Sequence, residues 1–249
     1  MRVLLLGATG GCGSQVLTRL LSRDVETTVI VRDEERLPEG AKANPLLRVI
    51  VEPRGHLALS NSDFADAIKT VDAVISCLGH TLTLSGVFGH PRRLCRDTTA
   101  AVFDAARALA PARPLKYIVV STEGVDHPAG ADAATLTRGS AERCLLWLLS
   151  WALPPHADNM SVVDYLHKEA RGNPHVEFVA VRPSDMVDAD ESAYELHATL
   201  QNGIFDAGTT SRANVGAFMA DLATDKDVWD AWRGTYPQIL DAKAKSKDA

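Results

Sequence analysis

The sequence predicts an α/β fold, a doubly wound parallel sheet with helices on both faces, and three observations carry that prediction. Short apolar runs recur along the chain, helical patterns fill most of the intervals between them, and the runs are apolar at nearly every position instead of every second one. Continuous apolarity marks a strand buried on both faces, which a parallel sheet requires.

The elements follow in order. Residues 3–6 (VLLL) read as a buried strand, 11–22 as a helix and 27–31 (TTVIV) as a second, β-branched strand. Together they make one strand-helix-strand unit of about thirty residues. Further strands are expected at 48–51, 73–76, 117–121 and 176–181, and helices at 94–109 and 142–151. After Pro183 the alternation stops: the segment to about residue 201 is polar and helical at best, 213–224 is a short helix and 236–240 a last short strand. The expected organisation is a core over 1–182, a small C-terminal substrate lobe or lid over 183–241 lying across the mouth of the sheet, and a disordered tail over 242–249.

The chain has 249 residues, 46% of them hydrophobic and 23% charged, enough for one large core that needs no metal or disulfide staple. Cys12, Cys77, Cys95 and Cys144 form no C-x-x-C pair, which favours a reducing, cytoplasmic setting. The net charge of −6 gives no general affinity for nucleic acid or an anionic membrane. Arg92, Arg93 and Arg96 read as a solvated helix face. The eight histidines show no H-x-x-x-H spacing, so no metal site is expected.

The most apolar block, CLLWLLSWAL at 144–153, is about half of what a membrane span needs. A helix apolar on nearly every side is a buried one, so the first reading is a core helix; a homodimer interface and a wall over a substrate pocket are the alternatives. Pro154 and Pro155 would end it, and the loop through Asn159 would form a pocket rim.

Doubly wound sheets bind ligands beyond the carboxyl ends of their strands, where strand order reverses. The first such end reads GATGGCG. Gly7 permits the tight turn, Gly10 lets a pyrophosphate approach the backbone, and Gly13 lets the helix pack close to the strand. With Thr9, Gly11 and Cys12 they form a candidate dinucleotide cradle at a helix N-terminus. At the end of the second strand, Arg32 would pair with a ribose 2′-phosphate, which favours NADP(H) over NAD(H). Asp33 is adjacent, and a shift of one residue would reverse that preference.

GATGGCGSQV, the arginine of VIVRD, the Ser-Thr after YIVV and the VRPSDMVD stretch together resemble the atypical short-chain dehydrogenase/reductases, in particular their NAD(P)-binding NmrA-like group. The resemblance runs from Arg2 to about Val187 and implies a Rossmann fold and a nicotinamide cofactor. It implies further cofactor contacts from Cys77, Leu78 and Gly79 after the fourth strand, Ser121 and Thr122 after the fifth, and Arg182 and Pro183 at the sixth.

Short-chain reductases pair a Tyr-x-x-x-Lys face with a strand-end serine, the phenol giving a proton while the nicotinamide gives hydride. Ser121 fits the serine, and Tyr165 and Lys168 are the candidate pair, although their spacing is three instead of four. Registering the family from Arg182-Pro183 places Met160 near the tyrosine position, Asp164 near the lysine and Glu169 on an acidic one, so Tyr165 then packs the helix instead. His80 could relay a proton or serve as a polar loop residue, and Glu123 could bind substrate or cap a helix. The expected function is an NADP(H)-dependent oxidoreductase acting on a small carbonyl or quinone-like substrate. A cofactor-sensing regulator and an epimerase-like protein that keeps NAD are the alternatives.

Overall fold

The structure is a computed structural model and describes residues 1–80, 83, 87 and 89–242. Apart from Ala242, the tail expected at 242–249 lies outside the described residues.

The N-terminal half runs β1 (Arg2–Leu6), α1 (Gly11–Ser22), β2 (Glu26–Val31), β3 (Leu47–Val51), α2 (Asn61–Ile68), β4 (Ala73–Ser76), α3 (Leu94–Leu109) and β5 (Leu115–Val120). Then come α4 (Ser140–Ala152), α5 (Pro154–Glu169), β6 (Val176–Pro183), β7 (Asp185–Val187), β8 (Tyr194–His197), β9 (Thr209–Ser211), α6 (Arg212–Thr224), α7 (Lys226–Trp232) and β10 (Gln238–Asp241). Eight strands form one sheet in the order β3-β2-β1-β4-β5-β6-β10-β8, parallel except for the antiparallel edge strand β8. The order reverses between β1 and β4, and ligands of such sheets bind at that switch.

The continuous apolarity of the strands has a direct structural meaning. Val3 and Leu5 pack with Val16, Leu17 and Leu20 of α1 and with Val215, Met219 and Leu222 of α6. Leu4 and Leu6, one pleat on, pack with Phe64 and Ile68 of α2, Val102 and Phe103 of α3, and Val162 and Leu166 of α5. Each strand thus feeds two cores, and each fully buried leucine or valine contributes roughly 1.5–3 kcal/mol.

Three expectations are corrected. The segment from Pro183 to about residue 201 is not helical: it supplies β7, which pairs with β9, and β8, which pairs with β10 at the sheet edge. These partners lie far along the chain, so no local periodicity announces them. Farther along, the helix expected at 213–224 forms as α6 and packs against α1 and the sheet.

Second, α4 is not a core helix: Trp147 is 67% and Trp151 83% exposed, and Leu148 is exposed too. Both sheet faces are already filled by the other helices, and the buried residue of α4 is Glu142, drawn in by Arg138. Third, 154–159 is not a loop but the start of α5, with Pro154 at a first-turn position where its missing N–H costs nothing.

Candidate functional site

The loop from β1 into α1 is built around a ligand-sized gap. Gly7 has φ of +83°, and a Cβ there would lie 2.7 Å from the Cys77 carbonyl oxygen. Only glycine tolerates both conditions. A Cβ on Gly13 would sit 2.1 Å from the Gly7 oxygen, so its absence is what lets α1 pack down onto the strand end. The N-cap of α1 is Gly10, with no side-chain cap, which leaves the first-turn amides open to an anion.

This cradle forms the floor of a cleft of about 330 Å³ beyond the carboxyl ends of β1, β2 and β4. Gly7, Thr9 and Gly10 line it, joined by Arg32 from the end of β2 and by Cys77, Leu78, Gly79 and His80 from the end of β4. Gly11, Cys12 and Gly13 form the first turn of α1. The Cys12 thiol contacts the Met186 sulfur at 3.4 Å, and burial pushes its pKa up to about 11, so it is a packing group. Burial raises the Cys77 thiol likewise.

At the β2 end the cleft gathers three guanidinium groups, Arg32, Arg36 and Arg54. Arg54 pairs with Glu52 at 3.3 Å, whereas Arg32 and Arg36 have no ion-pair partner among the described residues. The neighbouring carboxylates are engaged elsewhere. Asp33 accepts the Glu35 amide at 3.0 Å as cap of a short 3₁₀ turn, and Glu35 pairs with Lys42 at 2.7 Å. Arg36 and Arg54 were missed from sequence. Arg36 follows Arg32 by one helical turn, a signal that was available; Arg54 comes from the next strand end and had none.

The expected catalytic residues are not brought together in this cleft. Ser121 is buried after β5, and its hydroxyl has no hydrogen-bond partner among the described residues. Thr122 beside it accepts the Gly124 amide at 3.3 Å. Tyr165 lies on α5 with its ring under the Arg96 guanidinium, 3.9 Å away, and edge-on to Phe103 at 5.3 Å. It does not line the cleft, and burial raises its phenol. Lys168, Asp164, Glu169 and Met160 are exposed on the same helix.

Arg182 and Pro183 do not line the cleft either. Arg182 is fully buried and grips Asp132 through two bonds of 2.7 and 3.1 Å. Burial would push the Asp132 carboxyl up, but that guanidinium holds it below its ordinary range. Glu123 is buried, accepts from the Ser184 hydroxyl and from Gln238 at 3.3 Å, and has its carboxyl raised by burial. It ties β6 to β10 and caps no helix.

His80 turns its ring onto Asp158 of α5, Nε2 to Oδ2 at 2.9 Å, and both side chains are almost wholly enclosed. Asp158 had no sequence signal, because it falls in a stretch that reads as a loop. His56, also on the cleft wall, meets the Thr98 hydroxyl at 2.7 Å, and burial lowers its pKa to about 4.

A nicotinamide dinucleotide fits these residues: a cradle in which a Cβ on Gly7 or Gly13 would not fit, an uncapped helix start, basic groups at one end and, beyond the carboxyl end of β5, a serine hydroxyl without a hydrogen-bond partner among the described residues. Fold and site together define a dinucleotide-binding α/β protein of the doubly wound class. The chain belongs to the NAD(P)H-binding family, whose model matches residues 7–226.

Comparison with curated proteins gave no match. Among solved structures, the chain is similar to the oxidoreductase ylbE of Lactococcus lactis, with TM-score 0.67, 15% identity, and 98% of this chain and 92% of that one covered. It is similar to a Rossmann-fold NAD(P)-binding family protein of Shigella flexneri, with TM-score 0.62, 18% identity and coverage of 100% and 97%. It is also similar to ChuY, an anaerobillin reductase of Escherichia coli O157:H7, with TM-score 0.63, 16% identity and coverage of 98% and 99%. At these identities the likeness shows the fold. Among the described residues no helix is long and apolar enough to cross a membrane.

Proposed function

We propose that the protein is an NADP(H)-dependent oxidoreductase of the atypical short-chain dehydrogenase/reductase class, moving hydride to or from a small carbonyl or quinone-like substrate. The observation that carries the cofactor preference is the β2 end of the cleft. Arg32 and Arg36 stand there without ion-pair partners among the described residues, while Asp33, the group that would favour NAD(H), is spent on capping. A planar guanidinium takes a phosphate through two charge-assisted bonds, which a ribose hydroxyl cannot match.

Oxidoreductase chemistry is supported by the NAD(P)H-binding family and by two similar structures named as an oxidoreductase and a reductase. The bound cofactor would supply the hydride. The chain would hold its pyrophosphate at Gly7 to Gly13 and its 2′-phosphate at Arg32, with the β4 end and Ser121 beside the nicotinamide half. The sequence motifs resemble the NmrA-like group, and the four free cysteines suit a cytoplasmic setting.

The test is a calorimetric titration with NADPH and NADH, followed by loss of the reduced-nicotinamide absorbance with aldehydes, quinones and flavins. Tighter binding of NADPH with turnover of an acceptor is the expected result. Binding without turnover of any acceptor would overturn the oxidoreductase reading in favour of a cofactor sensor.

A further inference from the structure

Gly11, the first residue of α1, has its side-chain place taken by another part of the chain. A Cβ there would lie 2.6 Å from Cδ of Arg212, 2.9 Å from its Nε and 3.9 Å from its Cζ. Helical Cα–Cβ bonds tilt toward the helix N-terminus, so the arginine that fills this place stands toward the end of α1 where the first-turn amides open. Burial dominates the Cys12 thiol, but Arg212 draws it down and Asp188 pushes it up, which puts both charges near the same turn. The pairing of β7 with β9 brings them together, since Asp188 follows the one strand and Arg212 the other.

A cation is out of place at that spot. The start of α1 is the positive end of its dipole, and its first turn carries no acidic residue to offset a guanidinium. Arg212 also opens α6, whose first turn has no acidic residue either. Its ion-pair partner among the described residues is Asp188, at 2.8 Å, and that carboxylate side chain is 90% exposed. An ion pair so open to solvent contributes little to holding a fold together. Tying the β7–β9 ribbon to α1 therefore does not account for a guanidinium here, whereas an anion held at the open amides does. Gly11 points the same way: it stands outside the spacing of Gly7, Gly10 and Gly13, and its missing side chain is what admits the arginine stem.

Resting on the reading of the cleft as a nicotinamide-dinucleotide site, we propose that Arg212 is a further cofactor-binding residue, whose guanidinium takes the pyrophosphate together with the first-turn amides of α1 and exchanges the exposed Asp188 carboxylate for phosphate oxygens. The planar fork of a guanidinium matches two phosphate oxygens at once. The pyrophosphate is common to NADPH and NADH, so Arg212 serves affinity for both, while Arg32 and Arg36 serve the choice between them.

The test is calorimetry of the full chain with NADPH, NADH and ADP-ribose, which carries the pyrophosphate without the nicotinamide. Arg212→Met keeps an unbranched stem across Gly11 and removes the charge, and Tm is read alongside. All three ligands should bind roughly tenfold more weakly, with the ratio of NADPH to NADH affinity unchanged. Arg212→Lys keeps the charge and should recover binding to within about threefold of the wild type, a rescue that a merely structural stem would not show. The salt dependence of binding should be shallower in Arg212→Met than in the wild type.

Arg212→Met binding all three ligands within about twofold of the wild type would overturn the role of Arg212 while leaving the cofactor reading intact. A loss confined to NADPH would overturn the pyrophosphate assignment, and equal losses in Arg212→Met and Arg212→Lys would show that the charge is not what binds. A wild-type protein that binds none of the three would overturn the cofactor reading, and Arg212 with it.

Discussion

Replacing Arg32 by alanine separates the phosphorylated cofactor from the unphosphorylated one. A charge-assisted guanidinium–phosphate contact is worth about 1.5–3 kcal/mol. Arg32 is exposed at the cleft rim, so solvent screening brings the value to the low end of that range, on the order of a tenfold weaker NADPH complex. Arg36 shares the same wall and retains part of the attraction, so the double variant Arg32→Ala/Arg36→Ala should lose on the order of 100-fold. NADH has no phosphate at that position and should bind all three proteins within about twofold. Calorimetry at low and high ionic strength is the assay, and the NADPH difference should shrink with salt because the groups are exposed. Equal losses for both cofactors, or none for either, would refute the assignment. A selective loss of NADH binding in Asp33→Ala would show that the acidic neighbour holds the ribose instead.

Gly13→Ala places a Cβ 2.1 Å from the Gly7 oxygen and must push α1 off the strand end. Overpacking of that kind costs roughly 1–3 kcal/mol or more, so a lower Tm and lost NADPH binding should appear together, and a variant normal in both would contradict the packing described. His56 has its pKa lowered by burial from 6.5 to about 4, so it folds neutral and the unfolded chain takes up the proton first. Stability should fall as pH drops through that window, and thermal denaturation of His56→Gln should show a shallower fall. Tyr165→Phe keeps the ring contact with Phe103 and should retain both Tm and hydride-transfer rate. A 100-fold slower variant with unchanged Tm would return Tyr165 to the proton-donor role.

The strands over 3–6, 73–76 and 176–181 and the helix over 94–109 were legible because their signals are local. Double-sided burial demands an unbroken apolar run, and an amphipathic helix repeats its apolar face. The glycine cradle was legible because its spacing is local: Gly13 meets the Gly7 oxygen within one short stretch of chain, although the approach of Gly7 to the Cys77 carbonyl comes only with the fold. The exposed α4 was misread because hydropathy records that Trp147 and Trp151 are apolar, not whether a sheet face is still vacant for them.

Sequence by itself determined the class of fold and the dinucleotide cradle, both consequences of short-range sterics and of apolar periodicity along the chain. Tertiary structure alone decided which distant groups share a space: Arg54 with Arg32, Arg182 with Asp132, and His80 with Asp158. The partners in these pairs stand 22, 50 and 78 residues apart. Their meeting depends on how crossovers and helices stack on the sheet, and no local backbone preference encodes that.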